Sequence, residues 1–288
     1  MFKNLLKITL ELKIEIIVLF LLFSIGSITY ALSLDNIYRS SAKIFPENST
    51  SSSLNNLGGI SSLANIAGLG SMNDSDEETI AIETLKSREF ILHFINNRQL
   101  EPYLLAFEST DGRGNIKFDD KKYNNGKWLS NSVMYDGKVS NQKLYESLKN
   151  SLYIGKDLDT GSYNISIESR DPVMSFEILT NIIEDLDTYL KNKQMEITKE
   201  RLLYLQSNAN SFASIKQREY LDSLVYEELV KLMRLELNDF YSFSLIDKPF
   251  YPEKKIKPKR TYIVLFAMLI YTLIIFIRIV NHKKIIES

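Results

Sequence analysis

Residues 247–277 read DKPFYPEKKIKPKR followed without a break by TYIVLFAMLIYTLIIFI. Pro249, Pro252 and Pro258 each fix φ and remove a backbone donor, so the first half is expected to run as an extended, polyproline-like strap. The second half, Thr261–Ile277, holds no charge, proline or glycine. With Ile279 and Val280 added it makes a helix that crosses most of a bilayer at ~1.5 Å per residue. A strap of this kind joins something folded to a membrane.

Ile16–Leu34 answers it at the other end, since its 19 uncharged residues cover roughly 28 Å as a helix. The expected layout is a tail over 1–15, a span over 16–34, one domain over 35–260, a second span over 261–280 and a tail over 281–288. A cleaved signal peptide, with Ala31 and Ser33 at the cleavage site, is the rival reading of the first span, but the apolar run is longer than the usual signal core. Neither uncharged run, 16–34 or 261–277, is interrupted by Asp, Glu, Lys, Arg or His, which argues against a transporter or pump. Two spans put both termini on one side of the membrane, and a long domain between them translocates largely regardless of flanking charge.

The roughly 225 residues between the spans are enough for one α/β domain of ordinary size with a real core. A net charge of −1 and 44% hydrophobic residues give no global field for nucleic acid. With no cysteine, disulfides, thiolate nucleophiles and thiolate metal sites are excluded together. Only His93 and His282 are available to histidine chemistry. His93 lies in a helical run, where a structural role is expected. The Gly-Lys pairs at 126–127, 137–138 and 155–156 lack the upstream glycine and following hydroxyl of a phosphate-binding loop. The paired carboxylates Asp74 with Asp76, and Asp119 with Asp120, lie in polar loops where charges are ordinarily solvated. No catalytic residue, cofactor or metal is expected.

Along the chain, Asp35–Phe45 reads as a strand leaving the membrane. The Ser/Asn/Gly-rich tract that follows has Leu54, Leu57, Ile60, Leu63, Ile66 and Leu69 three residues apart, the pattern of a partly ordered loop. Caps and acids at Asp74–Glu78 open a single amphipathic helix through TIAIETLKSREFILHFINN. Asp111-Gly112, Asn125-Gly126 and Asp136-Gly137 mark hairpins or loops, with Trp128 expected to pin this region to the domain. After a short helix at Leu144–Leu152 comes a hairpin around DLDTGS whose second arm, YNISIES at 163–169, alternates strictly. Asp157, Asp159, Gly161 and Glu168 have calcium-loop spacing, but Ser162 occupies the position that requires glycine and strands flank the loop. Asp171-Pro172 opens the longest periodic segment, with Phe176, Leu179, Ile183, Leu186 and Leu190 at spacings of three and four and the pattern running on to Asn208. A returning helix over about 213–238 makes the pair a helical arm over 172–238, and 239–246 returns as a strand to the strap at 247–260.

Taken together, this layout resembles the Wzz-type polysaccharide co-polymerases, the chain length determinant family. The residues that carry the resemblance are the strand and small-residue loop after the first span, LKSREFILHFI at 85–95 followed by Pro102, DLDTGSYNISIESRDP at 157–172, LLYLQ at 202–206 and SLIDKPFYPEKKIKPKR at 244–260. It implies an α/β (α+β) periplasmic domain with a small mixed sheet and a long projecting helix, flanked by two transmembrane helices in the bacterial inner membrane, both termini cytoplasmic. It further implies a non-enzymatic regulator of O-antigen or related glycan length. Such a protein forms homo-oligomeric rings and acts with a membrane-embedded polymerase on a lipid-linked glycan. A capsule or exopolysaccharide export component is the alternative. Departing from the family, the second span has Ala267 as its only Gly or Ala, which puts close helix approach there in question. The residues 281–288 bring no ATP-binding domain or tyrosine-rich tail, which disfavours the autokinase branch. From the residues themselves, Lys254, Lys255, Lys257, Lys259 and Arg260 are expected to meet anionic headgroups where the strap reaches the bilayer, and to contact a glycan-lipid pyrophosphate or an acidic polymerase loop.

Overall fold

The computed structural model describes residues 13–46, 74–208, 215–237 and 243–287. The tail before Lys13, the leucine-periodic tract, the Asp74 and Asp76 side chains, the turn after Asn208, Phe240 and Tyr241, and the His282 side chain lie outside that description. The chain divides into two units, Met1–Tyr38 with Glu253–Ser288, and Arg39–Pro252.

In the larger unit, β1 (Tyr38–Pro46) is followed by α2 (Asp74–Lys86), α3 (Arg88–Asn97) and α4 (Glu101–Ala106); α1 (Lys13–Ser33) precedes them in the other unit. Where the sequence suggests one helix over 74–97, the chain breaks at Ser87. Its backbone is extended (φ −67°, ψ 144°) and its hydroxyl accepts from the Phe90 N–H, an N-cap that restarts the helix. The apolar period runs through the break because both helices bury their faces in one core, with Leu85, Phe90, Ile91, Phe94 and Ile95 fully enclosed.

Three hairpins follow: β2 (Phe107–Thr110) with β3 (Ile116–Phe118), β4 (Tyr123–Asn124) with β5 (Lys127–Trp128), and β6 (Met134–Tyr135) with β7 (Lys138–Val139). Asn125-Gly126 and Asp136-Gly137 all have positive φ, the type I′ geometry that suits the twist of two-residue hairpins. Trp128 packs on Tyr123, ring centres 4.9 Å apart, and Tyr123 on Phe118 at 5.7 Å. The tryptophan therefore ties one hairpin to the next and not to the main core.

After α5 (Asn141–Ser151), β8 (Leu152–Lys156) and β9 (Tyr163–Ser169) complete a four-stranded sheet with β10 (Phe243–Asp247), in the order β10-β1-β9-β8. The β1–β10 and β8–β9 pairs are antiparallel. Arg39 pairs with Glu168 while Phe45 lies beside Gly161, so β1 and β9 also run in opposite directions. The sheet is thus antiparallel where the family resemblance implies a mixed one. Alternation places Ala42, Ile44, Ile165, Ile167 and Phe243 on its inner face, against α3, α5 and the first half of α6 (Pro172–Asn208).

α6 is ~56 Å long. Its first turns bury Ile178, Leu179, Ile182, Ile183 and Leu186 in the core, and its far end packs on α7 (Ile215–Leu237), where Leu202, Leu221 and Leu235 are buried. Asp171 roots this arm. It is fully buried, accepts the Met174 N–H on Oδ1 at 3.0 Å, and on Oδ2 accepts the Thr110 hydroxyl and the Gly114 N–H. One carboxylate therefore caps the long helix and clamps the first hairpin to its base.

The smaller unit pairs α1 with α8 (Arg260–Glu287). Among the described residues these are two helices long and apolar enough to cross a membrane, Ile14–Ser33 and Arg260–Arg278. α8 continues past the apolar run, since helix formation does not require apolarity. Ser27 and Ala31 are buried and the Ser24 hydroxyl is enclosed. The small residues that allow close approach are therefore on the first helix, and the sequence puts such approach in question only for the second.

Candidate functional site at the collar of the apolar helices

α1 ends with carbonyls that have no partner within the helix and carry the negative end of its dipole. Arg260, the first residue of α8, meets one of them: its Nε donates to the Ala31 carbonyl at 2.9 Å. Just beyond α1 the chain turns extended, and Ile37 bridges the strap, its N–H donating to the Lys257 carbonyl at 3.0 Å and its carbonyl accepting the Ile256 N–H at 2.8 Å. The exit of the first helix and the entry to the second are thus fastened together by backbone and side chain.

Asn36 lies between them. Its Oδ1 accepts from Lys255 Nζ at 2.9 Å and from a terminal nitrogen of Arg260 at 3.3 Å. Lys259 Nζ sits 5.7 Å from the centre of the Tyr262 ring, a cation–π contact. Lys254 and Lys257 are exposed, and the Lys257 side chain or backbone has a further interaction. Pro249 and Pro258 are half-buried and Pro252 is buried. Of the five strap cations, Lys255 and Arg260 are thus committed partly to the chain itself.

Deeper in the pair, the Tyr271 hydroxyl donates to the Ile16 carbonyl at 3.0 Å, with Phe20 and Phe23 around its ring at 5.6 and 6.1 Å. Arg278 lies 3.5 Å from Glu15. Ala31 beside Arg260 and Ile16 beside Tyr271 fix the helices as antiparallel.

Residues 2–98 match the Wzz family, chain length determinant protein. This Wzz match covers 97 of the 288 residues and takes in α1, β1, α2 and α3, including the 85–95 stretch. No curated protein matches the chain. Among solved structures, a full-length bacterial polysaccharide co-polymerase is 14% identical, with 98% of this chain and 97% of that one covered at a TM-score of 0.42. A fragment of WzzB, a polysaccharide co-polymerase from Salmonella Typhimurium, is 13% identical, covering 77% of this chain and 100% of that one at 0.33. A mutant of the Shigella flexneri lipopolysaccharide O-antigen chain-length regulator WzzBSF is 14% identical, covering 76% and 99% at 0.26.

The other residues considered from sequence have local roles. Asp119 Oδ1 accepts the Lys121 N–H and its Oδ2 lies 3.5 Å from Lys122, so it closes a turn. Hydrogen bonds from the Thr160 hydroxyl and the Asp159 N–H hold the Asp157 carboxyl below the usual carboxylate range. Lys43 takes its other oxygen at 3.4 Å, and Glu168 pairs with Arg39. The calcium spacing therefore serves a hairpin turn and a sheet face, and among the described residues no three metal-ligating side chains gather. His93 is exposed beside Tyr189, ring centres 5.7 Å apart. Asn36 and Tyr271 carry no expectation in the sequence and Ala31 only that of a cleavage site; a tyrosine midway along an apolar run, Tyr271, is the one signal the sequence offers.

Proposed function

We propose that the chain is a non-enzymatic regulator of surface polysaccharide length, for O-antigen or a related glycan. It acts as an oligomeric co-polymerase beside a polymerase in the bacterial inner membrane, with the domain in the periplasm and both termini in the cytoplasm. The observation that carries this reading is the Wzz match, which runs from the first apolar helix into the domain, in a chain whose other end supplies a second apolar helix paired with the first. The fastened collar supports a retained first span over a cleaved signal peptide, because Arg260 and Tyr271 bind carbonyls of that helix.

The arm supports action through assembly. On α7, Tyr226, Leu229, Met233 and Leu237 are exposed at spacings of three and four, a stripe that suits another helix. A second copy supplies one. Pro249, Pro252 and Pro258 with the five strap cations hold the domain against the headgroups in this account.

Deleting the gene and resolving surface polysaccharide on gels tests the reading. Loss of the preferred length with polymer still exported, restored by the wild-type chain, is expected. Polymer retained inside the cell would make the protein an export component, and an unchanged length distribution would refute regulation.

A further inference from the structure

The collar holds an unusual charge arrangement: Lys255 and Arg260 converge on one neutral acceptor, the Asn36 amide oxygen, at 2.9 and 3.3 Å. An amide oxygen offers two lone pairs but no charge, so it positions the two cations without neutralising them. The strap from Glu253 to Arg260 carries five cations against one carboxylate, and Asp35, which has an interaction of its own, is the other acid at hand. The positive N-terminal end of α8, a helix of 28 residues, begins at Arg260 and adds to the same field. A phosphate oxygen is the acceptor these donors are short of, since a charged acceptor roughly doubles the strength of each bond.

The place suits such a ligand. Arg260 and Ala31 mark the same end of the two apolar helices, which is the level of lipid headgroups for a membrane-crossing pair. Tyr30 and Tyr262 are exposed on the end turns, where amphipathic rings settle at a membrane interface. We propose that Lys255 and Arg260, preset by Asn36, form a binding site for the phosphate of an anionic lipid. The phosphate comes either from a glycerophospholipid headgroup or from the pyrophosphate of a polyprenyl lipid. The site rests on the membrane placement contained in the proposed function but not on control of glycan length.

Native mass spectrometry of the purified full chain in detergent, titrated with phosphatidylglycerol, phosphatidylcholine or a polyprenyl pyrophosphate, tests it. Wild type is expected to bind the anionic lipids over phosphatidylcholine. K255Q should weaken that binding by at least about tenfold, the effect of losing a hydrogen bond to a charged group. K254Q, which removes the same charge one residue away, should cost no more than about fivefold, the general attraction of one surface lysine. N36D leaves both cations in place but occupies them with an internal carboxylate, and should match K255Q. This variant carries the test if K255Q fails to fold. Tighter binding of the pyrophosphate than of phosphatidylglycerol identifies the polyprenyl lipid, and equal or weaker binding identifies the bulk headgroup. K255Q or N36D binding no worse than K254Q overturns the site. The measurement uses purified protein, so its failure leaves the gel test of glycan length untouched, and the reverse holds too.

Discussion

Replacing Asp171 with alanine should loosen the root of the arm. The substitution removes the N-cap of α6, worth about 1 kcal/mol. It also strips the Thr110 hydroxyl and the Gly114 N–H of their shared acceptor, and a donor left without a partner at such a site costs about 1–3 kcal/mol. The expected loss is about 2–4 kcal/mol, and at 2–4 °C per kcal/mol for a domain of this size the unfolding midpoint should fall by roughly 5–15 °C. D171N keeps one acceptor for the Met174 N–H and should lose about half as much. Trp128 is the only tryptophan in the chain and packs through Tyr123 and Phe118 onto the hairpin that Asp171 clamps. Its fluorescence during denaturation of the full chain in detergent therefore reads the relevant region. A loss below about 0.5 kcal/mol for D171A, the range of ordinary surface changes, would refute the clamp.

Burial pushes the Tyr103 hydroxyl up to about 12, against a lowering contribution from Ser169. Because the folded value is raised, this stabilisation is complete below pH ~10 and is lost as pH climbs from there through about 12. Between pH 9 and 11.5 the wild type should lose about 2 kcal/mol more than Y103F in denaturant titrations, and parallel losses would contradict it. In the apolar pair, S27C with V264C should form a disulfide readily in this cysteine-free chain, whereas I28C with L265C, on outward faces, should not; the reverse yields would mean a different seam. Gly114 and Gly126 both have positive φ, but only Gly114 has a neighbour, Val173, within 3.4 Å of an added Cβ. G126A should cost about 1 kcal/mol from backbone strain alone and G114A somewhat more, as measured by the same denaturation, and equal losses would show that Val173 yields freely.

Much of this architecture is written in local pattern. The hairpins at Asn125-Gly126 and Asp136-Gly137 follow from residues that tolerate positive φ, the strict alternation of 163–169 gives β9, and the three-four spacing after Pro172 gives α6. The break at Ser87 was hidden because one core takes the apolar face of both helices, so periodicity continues while the backbone does not. The strap lysines were legible as a cluster, but their partners were not. Arg260 and Ala31 lie 229 residues apart, and nothing local to either records that a guanidinium will cap the helix end of the other. Asn36 is likewise an ordinary polar residue until folding brings Lys255 and Arg260 to its oxygen. The second span, where Ala267 is the only Gly or Ala, gives no sign of a close seam, whereas Ser24, Ser27 and Ala31 supply it from the first.

The proposed function requires a chain that works by assembling and by touching other molecules, with no bond made or broken by its own side chains. The most direct measurement is the mass of the full chain, extracted into lipid nanodiscs from cells that express it and make a surface polysaccharide of preferred length. Several copies of the 33.3 kDa chain in one particle are expected. Particles holding a single copy, from cells with a normal length distribution, would contradict the proposal.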